Sequence, residues 1–304
     1  MSGLLVVGGG MAGITVAAEL RRAGMAFTWV EADSRAGGAL HRVFNPLFGW
    51  PEGGGRSGAE LAASMEDSEA CAGLERGCRV ASIEAAAGGL RLGLERSATA
   101  EVTWGVRSRV VLCTGTRPRR WEVPGAAALW GRGVELSTHG RGALYAGEPV
   151  AVVGGGDAAV EGALRMAAKG CAVWLIVRGA ALRASPQFLE ALATTPAIEI
   201  RFGCEVTEVI AGSQDKLSAV VLSNGGSLPV RGLFVRVGVD PILPPITPSP
   251  ALDGGGYLCV DREGLSSVPG VYGAGEVTGS DVSQLVAVRD QATRVAARLI
   301  TLAD

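Results

Sequence analysis

The chain has 304 residues, 48% of them hydrophobic, enough for one large domain or two ordinary ones with buried cores. Its 46 glycines sit at turns between apolar runs and not in one low-complexity tract, which argues against disorder. Net charge is −2 with no basic stripe, which argues against a nucleic-acid partner.

Met1 to Val7 runs straight into a strand and a glycine turn, with no basic segment or cleavage signal. No apolar run reaches the ~18 residues needed to span a bilayer. A cytoplasmic protein is expected. Leu4 to Val7 is continuously apolar, as a buried parallel strand should be. Gly8-x-Gly10-x-x-Gly13 follows it and opens a helix over Met11 to Ala23. Phe27 to Val30 is the next strand, and Glu31 stands at its end. Further on, Val110 to Leu112 is a strand running into Thr114-Gly115.

The same unit then recurs. Val150 to Val153 is a strand, Gly154-x-Gly156-x-x-Ala159 the turn, Ala158 to Lys169 the helix and Ala172 to Val177 the next strand. Leu233 to Val237 is a strand that exits at Gly238. Pro241 to Pro250 holds five of the 14 prolines and reads as a linker. Gly270 to Ala274 is a last strand, and Gln284 to Leu302 a closing helix. Strands alternating with helices predict an α/β chain of two Rossmann-like dinucleotide-binding domains. The second is inserted into the first. The outer domain spans 1–116 and 241–304, and the inserted one 117–240.

The glycine turns carry a mechanism. The first glycine permits the tight turn, the second lets a pyrophosphate approach the backbone, and the third lets the helix pack on the strand. The helix amino terminus offers free N–H groups to the phosphates. A carboxylate at Glu31 accepts hydrogen bonds from ribose hydroxyls, so the first turn is expected to hold a dinucleotide. The second strand ends instead in Arg178, with Arg183 close behind. Arginines without an acid favour a 2′-phosphate, hence NADPH. The bland reading is that both arginines are solvated surface residues.

Six cysteines, Cys71, Cys78, Cys113, Cys171, Cys204 and Cys259, include no Cys-x-x-Cys pair. They read as small buried hydrophobes. With only His41 and His139 as histidines, no His/Cys metal cluster can be assembled locally, and no metal is expected.

The chain resembles the low-molecular-weight thioredoxin reductase family over nearly its whole length. The resemblance rests on the first glycine turn, Trp50-Pro51, Cys113-Thr114-Gly115, and Gly131-Arg132-Gly133-Val134. It rests further on Leu233-Phe234-Val235 with Gly238, and on Val268 through Val277. It implies FAD in the outer domain, NADPH in the inserted one, and a homodimer. By position, Gly275 and Glu276 hold the ribityl and pyrophosphate, with Glu276 standing where the family has Asp. Gln284 and Leu285 meet the flavin ring, and Val80 lies beside the adenine. Gly37 and Gly38, with Ala39 and Leu40, form a loop along the pyrophosphate. Gly8, Gly10, Met11, Ala12, Gly13, Glu31, Ala32, Cys113, Thr114 and Gly115 complete the FAD set. The NADPH set is Gly154, Gly156, Asp157, Ala158, Ala159, Arg178, Arg183 and Gly238.

One departure bears on function. The family carries a Cys-Ala-Thr-Cys-Asp-Gly segment whose dithiol takes electrons from the flavin. Here Ser137-Thr138-His139-Gly140-Arg141-Gly142 occupies that register. A serine hydroxyl cannot undertake thiol–disulfide exchange, so reduction of a disulfide by the family mechanism is not expected. His139 falls where the dithiol would face the flavin, and is the candidate catalytic proton donor or acceptor. Its bland reading is an exposed loop histidine.

These features predict hydride transfer from NAD(P)H to FAD and on to a non-disulfide acceptor, either a small molecule or a small carrier protein. The resemblance includes members without a dithiol that reduce ferredoxin or flavodoxin. Those carry an extra carboxy-terminal segment, and the sequence ends at Asp304 after its last helix, which weakens that expectation. Two more functions fit the same residues: a flavin-binding redox sensor or partner module, and an oxidase that ignores NADPH.

Overall fold

A computed structural model describes residues 3–44, 47, 55–66, 68–279 and 284–302. Trp50-Pro51 and Asp304 lie outside them. The chain divides into two units, Met1–Arg117 with Asp240–Asp304, and Pro118–Val239. The second is therefore an insertion in the first.

The first unit is built on a five-stranded parallel sheet. Its order is Val271–Gly273, Arg109–Leu112, Leu4–Val7, Thr28–Glu31, Leu74–Arg76. Leu4–Val7 is buried at all four positions, because this central strand is covered on both faces. On one face lie the helices Met11–Arg22 and Leu285–Thr301. Val288, Ala292, Val295 and Leu299 recur at helical spacing and join Ile14, Val16 and Leu20 in one core. On the other face, Leu5, Val7 and Val30 meet Ile83, Leu90 and Leu92 of a second sheet. Full burial of each such side chain stabilises the fold by roughly 1.5–3 kcal/mol.

The second sheet runs Ile246–Thr247, Cys78–Ala86, Gly89–Arg96, Glu101–Arg107. It corrects the linker expected at Pro241 to Pro250. Ile246 is buried and pairs with Ile83, whose N–H donates to the Pro245 carbonyl at 2.9 Å. The Ile242 N–H donates to the Gly115 carbonyl at 2.9 Å. Proline lacks a donor but keeps its carbonyl, so a proline-rich run can still serve as an edge strand.

The second unit repeats the parallel design. Its sheet order is Ile198–Phe202, Val173–Val177, Val150–Val153, Gly232–Val235, Val134–Glu135. The helix Asp157–Ala167 follows the central strand. An antiparallel sheet of Val206–Ala211, Leu217–Leu222 and Ser227–Pro229 completes it. Among the described residues no helix is long and apolar enough to cross a membrane.

Candidate functional site

The site in the first unit begins where Leu4–Val7 ends. Gly8 has φ +110°, and a Cβ there would lie 2.3 Å from the Cys113 carbonyl oxygen. A Cβ on Gly13 would lie 1.9 Å from the Gly8 carbonyl oxygen, so the helix approaches the turn more closely than any side chain permits. A Cβ on Gly10 would meet nothing within 4 Å. That open side is where a phosphate can reach the backbone. The first amides of Met11–Arg22 have no acceptor within the helix and point the same way.

Glu31 fixes the turn. Its carboxylate is buried and accepts from the Gly9 N–H at 2.5 Å through Oε2 and from the Asp33 N–H at 2.7 Å through Oε1. Trp29 Nε1 donates to the Gly8 carbonyl at 2.9 Å. Each Glu31 oxygen keeps a second lone pair.

Above the turn opens a cavity of about 1030 Å³, formed within this unit. It brings together Gly8, Gly10, Met11, Ala12, Glu31, Ala32, Gly37 to Leu40, Val80, Cys113 to Gly115, Gly275, Glu276, Gln284 and Leu285. Gly13 does not line it and serves the packing behind it. The wall also takes in residues that sequence reasoning missed. Ile242 to Pro245 line it, as do Arg42 and Thr116. Thr116 Oγ1 donates to Glu276 Oε2 at 2.8 Å, and Arg42 Nη2 to the Thr116 carbonyl at 3.4 Å. The nearness of Thr116 to Thr114-Gly115 was an available signal for it. Arg42 and the proline run had none.

The buried cysteines are poorly placed for thiol chemistry. Cys71, Cys78, Cys113, Cys171 and Cys204 are buried and Cys259 is exposed, all as free thiols. Burial pushes the Cys113 and Cys78 thiols up, so the reactive thiolate is disfavoured where they line the cavity. Among the described residues, no group of three His, Cys, Asp or Glu could hold a metal.

The second unit builds a similar turn. Gly154 has φ +140°, with the Arg236 carbonyl oxygen 2.3 Å from a notional Cβ, and Gly156 opens on free space. Ala159, where the first turn has Gly13, is buried without a clash of that severity. Asp157 Oδ1 accepts from the Ser185 N–H at 2.6 Å, and the Ala158 carbonyl from Arg236 Nε at 3.2 Å. The Arg183 N–H donates to the Gly155 carbonyl at 2.7 Å, which brings Arg183 beside the turn. Arg178 is well exposed, its Nε 3.9 Å from Glu205 Oε1. Gly238, at φ +98°, accepts from the Arg119 N–H through its carbonyl at 3.0 Å.

The segment Ser137 to Gly142 is held by its own network. Glu135, buried, accepts through Oε1 from Arg141 Nε at 2.8 Å and from the Tyr145 hydroxyl at 2.9 Å. Arg141 also donates to the Gly131 carbonyl at 2.6 Å. The Glu135 carboxylate raises the Arg141 guanidinium, and burial, helped by Glu135, pushes Tyr145 up to about 12. Ser137 Oγ accepts from the His139 N–H at 3.2 Å.

His139 is no exposed loop histidine. Its side chain is 12% exposed, with Nε2 3.8 Å from Glu161 Oε1. Burial holds its pKa below the usual value, Arg165 adds to this, and Glu161 opposes it; Arg236 and Lys169 also disfavour the charged form. The imidazole is therefore neutral at neutral pH. Its folded pKa lies below the unfolded value of about 6.5, so stability falls as pH drops through that value, where only the unfolded chain takes up the proton. Urea midpoints at pH 7 and pH 5 should show His139→Gln losing less stability than the parent chain. An identical acid limb in both would remove His139 from this account.

The same fold recurs in known proteins. A family model described as pyridine nucleotide-disulphide oxidoreductase matches residues 2–296. A subunit of the alkyl hydroperoxide reductase of Pseudomonas putida is 32% identical over 296 residues, 93% of this chain and 54% of that protein. The chain thus spans about half the length of the curated relatives it matches. Among solved structures, the thioredoxin reductase of Lactococcus lactis in its FR conformation superposes with a TM-score of 0.82 at 23% identity, covering 99% of each chain. That of T. acidophilum gives 0.81 at 24% identity, covering 99% of this chain and 98% of that one. The bacillithiol disulfide reductase of Bacillus cereus gives 0.76 at 18% identity, covering 98% of each. These structures share the fold.

Proposed function

This chain belongs to the pyridine nucleotide-disulphide oxidoreductase family, and from that premise we propose an FAD-dependent oxidoreductase that takes electrons from NADPH and delivers them to an acceptor other than a disulfide. The observation that carries the reading is the segment Ser137 to Gly142, which holds no thiol in a chain without any Cys-x-x-Cys pair.

FAD fits the cavity of the first unit. The volume of about 1030 Å³ lies at the upper end for ligand pockets, as a dinucleotide requires. When bound, FAD supplies a two-electron carrier between nicotinamide and acceptor. The protein's share is binding and orientation. Glu31 would present its free lone pairs to the ribose, and Gly10 with the following amides would receive the pyrophosphate. Glu276, steadied by Thr116, would hold the ribityl side, and Gln284 and Leu285 would border the ring. In the second unit Gly154, Gly156, Asp157, Ala158, Ala159 and Gly238 form the nucleotide turn, with Arg178 and Arg183 at the 2′-phosphate. His139 enters as a neutral imidazole, suited to accept a proton and not to supply one at neutral pH. A cytoplasmic homodimer completes the reading, the first part supported by the free cysteines and the second by the resemblance.

Anaerobic addition of NADPH should bleach the flavin band within seconds. The reduced protein should then be reoxidised by oxygen or a quinone, and should release no thiol from an aromatic disulfide. Absence of bleaching with NADPH and NADH alike would overturn the nucleotide assignment and favour an oxidase or a sensor. Thiol release would overturn the non-disulfide acceptor.

Arg178→Ala and Arg183→Ala should each lower the NADPH-over-NADH preference. A charged hydrogen bond to phosphate contributes about 1.5–3 kcal/mol, or roughly one to two decades in kcat/KM ratio. An unchanged ratio in both variants would assign the two arginines to the solvated surface.

A further inference from the structure

A second concave site lies on the first unit, away from the dinucleotide cavity. It is a groove of about 420 Å³ lined by Arg262, Glu263, Arg294, Ala297, Arg298 and Thr301. The last four recur at helical spacing on one face of Leu285–Thr301. Arg262 and Glu263 come from a turn that is fixed in place. Asp261 Oδ1 accepts from the Glu263 and Leu265 N–H groups, each at 2.9 Å. A Cβ on Gly264 would lie 2.4 Å from Val295 Cγ2, so the turn is pressed against the helix. Its carbonyl accepts from the Gly273 N–H at 2.8 Å, which ties it to the central sheet.

Three arginines face one glutamate in this groove, on a chain whose net charge is −2. Arg298 Nε is taken by Glu263 Oε2 at 2.9 Å. Arg262 and Arg294 make no hydrogen bond or ion pair with the described residues. Two guanidinium groups without a hydrogen bond or ion pair among the described residues are thus presented from two elements packed against each other. Each offers a planar fork of donors that suits a carboxylate.

We propose that this groove docks an acidic segment of a partner protein, seating neighbouring carboxylates on Arg262 and Arg294. The lining favours that ligand over others. It has no aromatic side chain on which a base would stack and, apart from Ala297, no apolar one to enter a lipid surface. Its volume far exceeds that of one oxyanion. The proposal is independent of the flavin reading, because none of these residues lines the dinucleotide cavity.

The test uses the full chain with its flavin and a fluorescein-labelled hexaglutamate peptide, read by anisotropy at low salt. Binding should saturate and weaken steeply with ionic strength. Arg262→Glu with Arg294→Glu should weaken it by about tenfold or more, as loss of two charged contacts requires, with flavin content and near-UV dichroism unchanged. The milder Arg262→Gln with Arg294→Gln should weaken it less. Arg120→Glu with Arg132→Glu changes net charge equally on the other unit, at exposed positions, and should leave binding unchanged. An equal loss in that control, an absence of saturation, or displacement by tripolyphosphate as effective as by unlabelled hexaglutamate would overturn the proposal.

Discussion

Gly13→Ala is expected to yield a colourless, destabilised protein. A Cβ at Gly13 would sit 1.9 Å from the Gly8 carbonyl oxygen, far inside any tolerated contact. Either the helix or the turn has to retreat. The turn is held by the Trp29 Nε1 bond to that same carbonyl at 2.9 Å, from an indole that is 1% exposed. The helix is held by Ile14, Val16 and Leu20 in the core it shares with Val295 and Leu299. Overpacking of a fixed core site costs about 1–3 kcal/mol and sometimes more, and here the upper end applies because neither neighbour is a flexible side chain. The retreat also moves the helix amides and Gly10 away from the position proposed for the phosphate. The second turn supplies the control. Ala159 is accommodated there, so Ala159→Gly should cost no more than the backbone-entropy difference of about 0.5–1 kcal/mol plus about 0.8 kcal/mol for the lost buried methyl. Flavin-to-protein absorbance ratio and urea midpoint measure both variants. A yellow Gly13→Ala protein with the parental midpoint would refute the packing argument.

The contrast between the two turns shows which parts of this molecule are legible in sequence. A glycine turn is legible because its constraint is local, set by positive φ and by backbone approach at Gly8 and Gly154. The central parallel strands are legible because burial on both faces makes them continuously apolar. The antiparallel sheet of Cys78–Ala86, Gly89–Arg96 and Glu101–Arg107 is not. Its edge strand exposes Val102, Trp104 and Val106 and buries Arg107, which inverts the alternation that marks a strand. The run Pro241 to Pro250 misleads for a different reason. Proline content reports a lost donor, not exposure, and Ile242 to Pro245 form cavity wall. At Arg141, comparison with the family registers only a missing acid. The bonds of Arg141 and Tyr145 to the buried Glu135 arise from strand placement that no spacing rule reveals. Arg262 and Arg294 are likewise remote in sequence and meet only because Gly264 packs on Val295.

Glu31→Gln is expected to have the largest effect of any single polar substitution in the first unit. Both carboxylate oxygens accept from backbone N–H groups, Oε2 from Gly9 and Oε1 from Asp33. An amide offers one oxygen and one NH2, so whichever way it turns, one backbone donor faces another donor. The residue is 9% exposed, and little water can relieve that conflict. Hydrogen bonds to a charged acceptor contribute about 1.5–3 kcal/mol, and the variant loses the charge at both bonds and the acceptor at one. The same substitution removes from the cavity wall the acceptor proposed for the ribose. FAD affinity should fall by roughly two decades or more, since the turn is loosened and the proposed charged partner of the ribose is lost. Titration of apoprotein with FAD, followed by quenching of flavin fluorescence, gives the dissociation constant. Glu31→Asp keeps the charge on a shorter stem and should fall between the two. Near-UV dichroism of the apoproteins separates the causes. A folded Glu31→Gln protein with the parental dissociation constant would show that the carboxylate braces the turn without touching the cofactor.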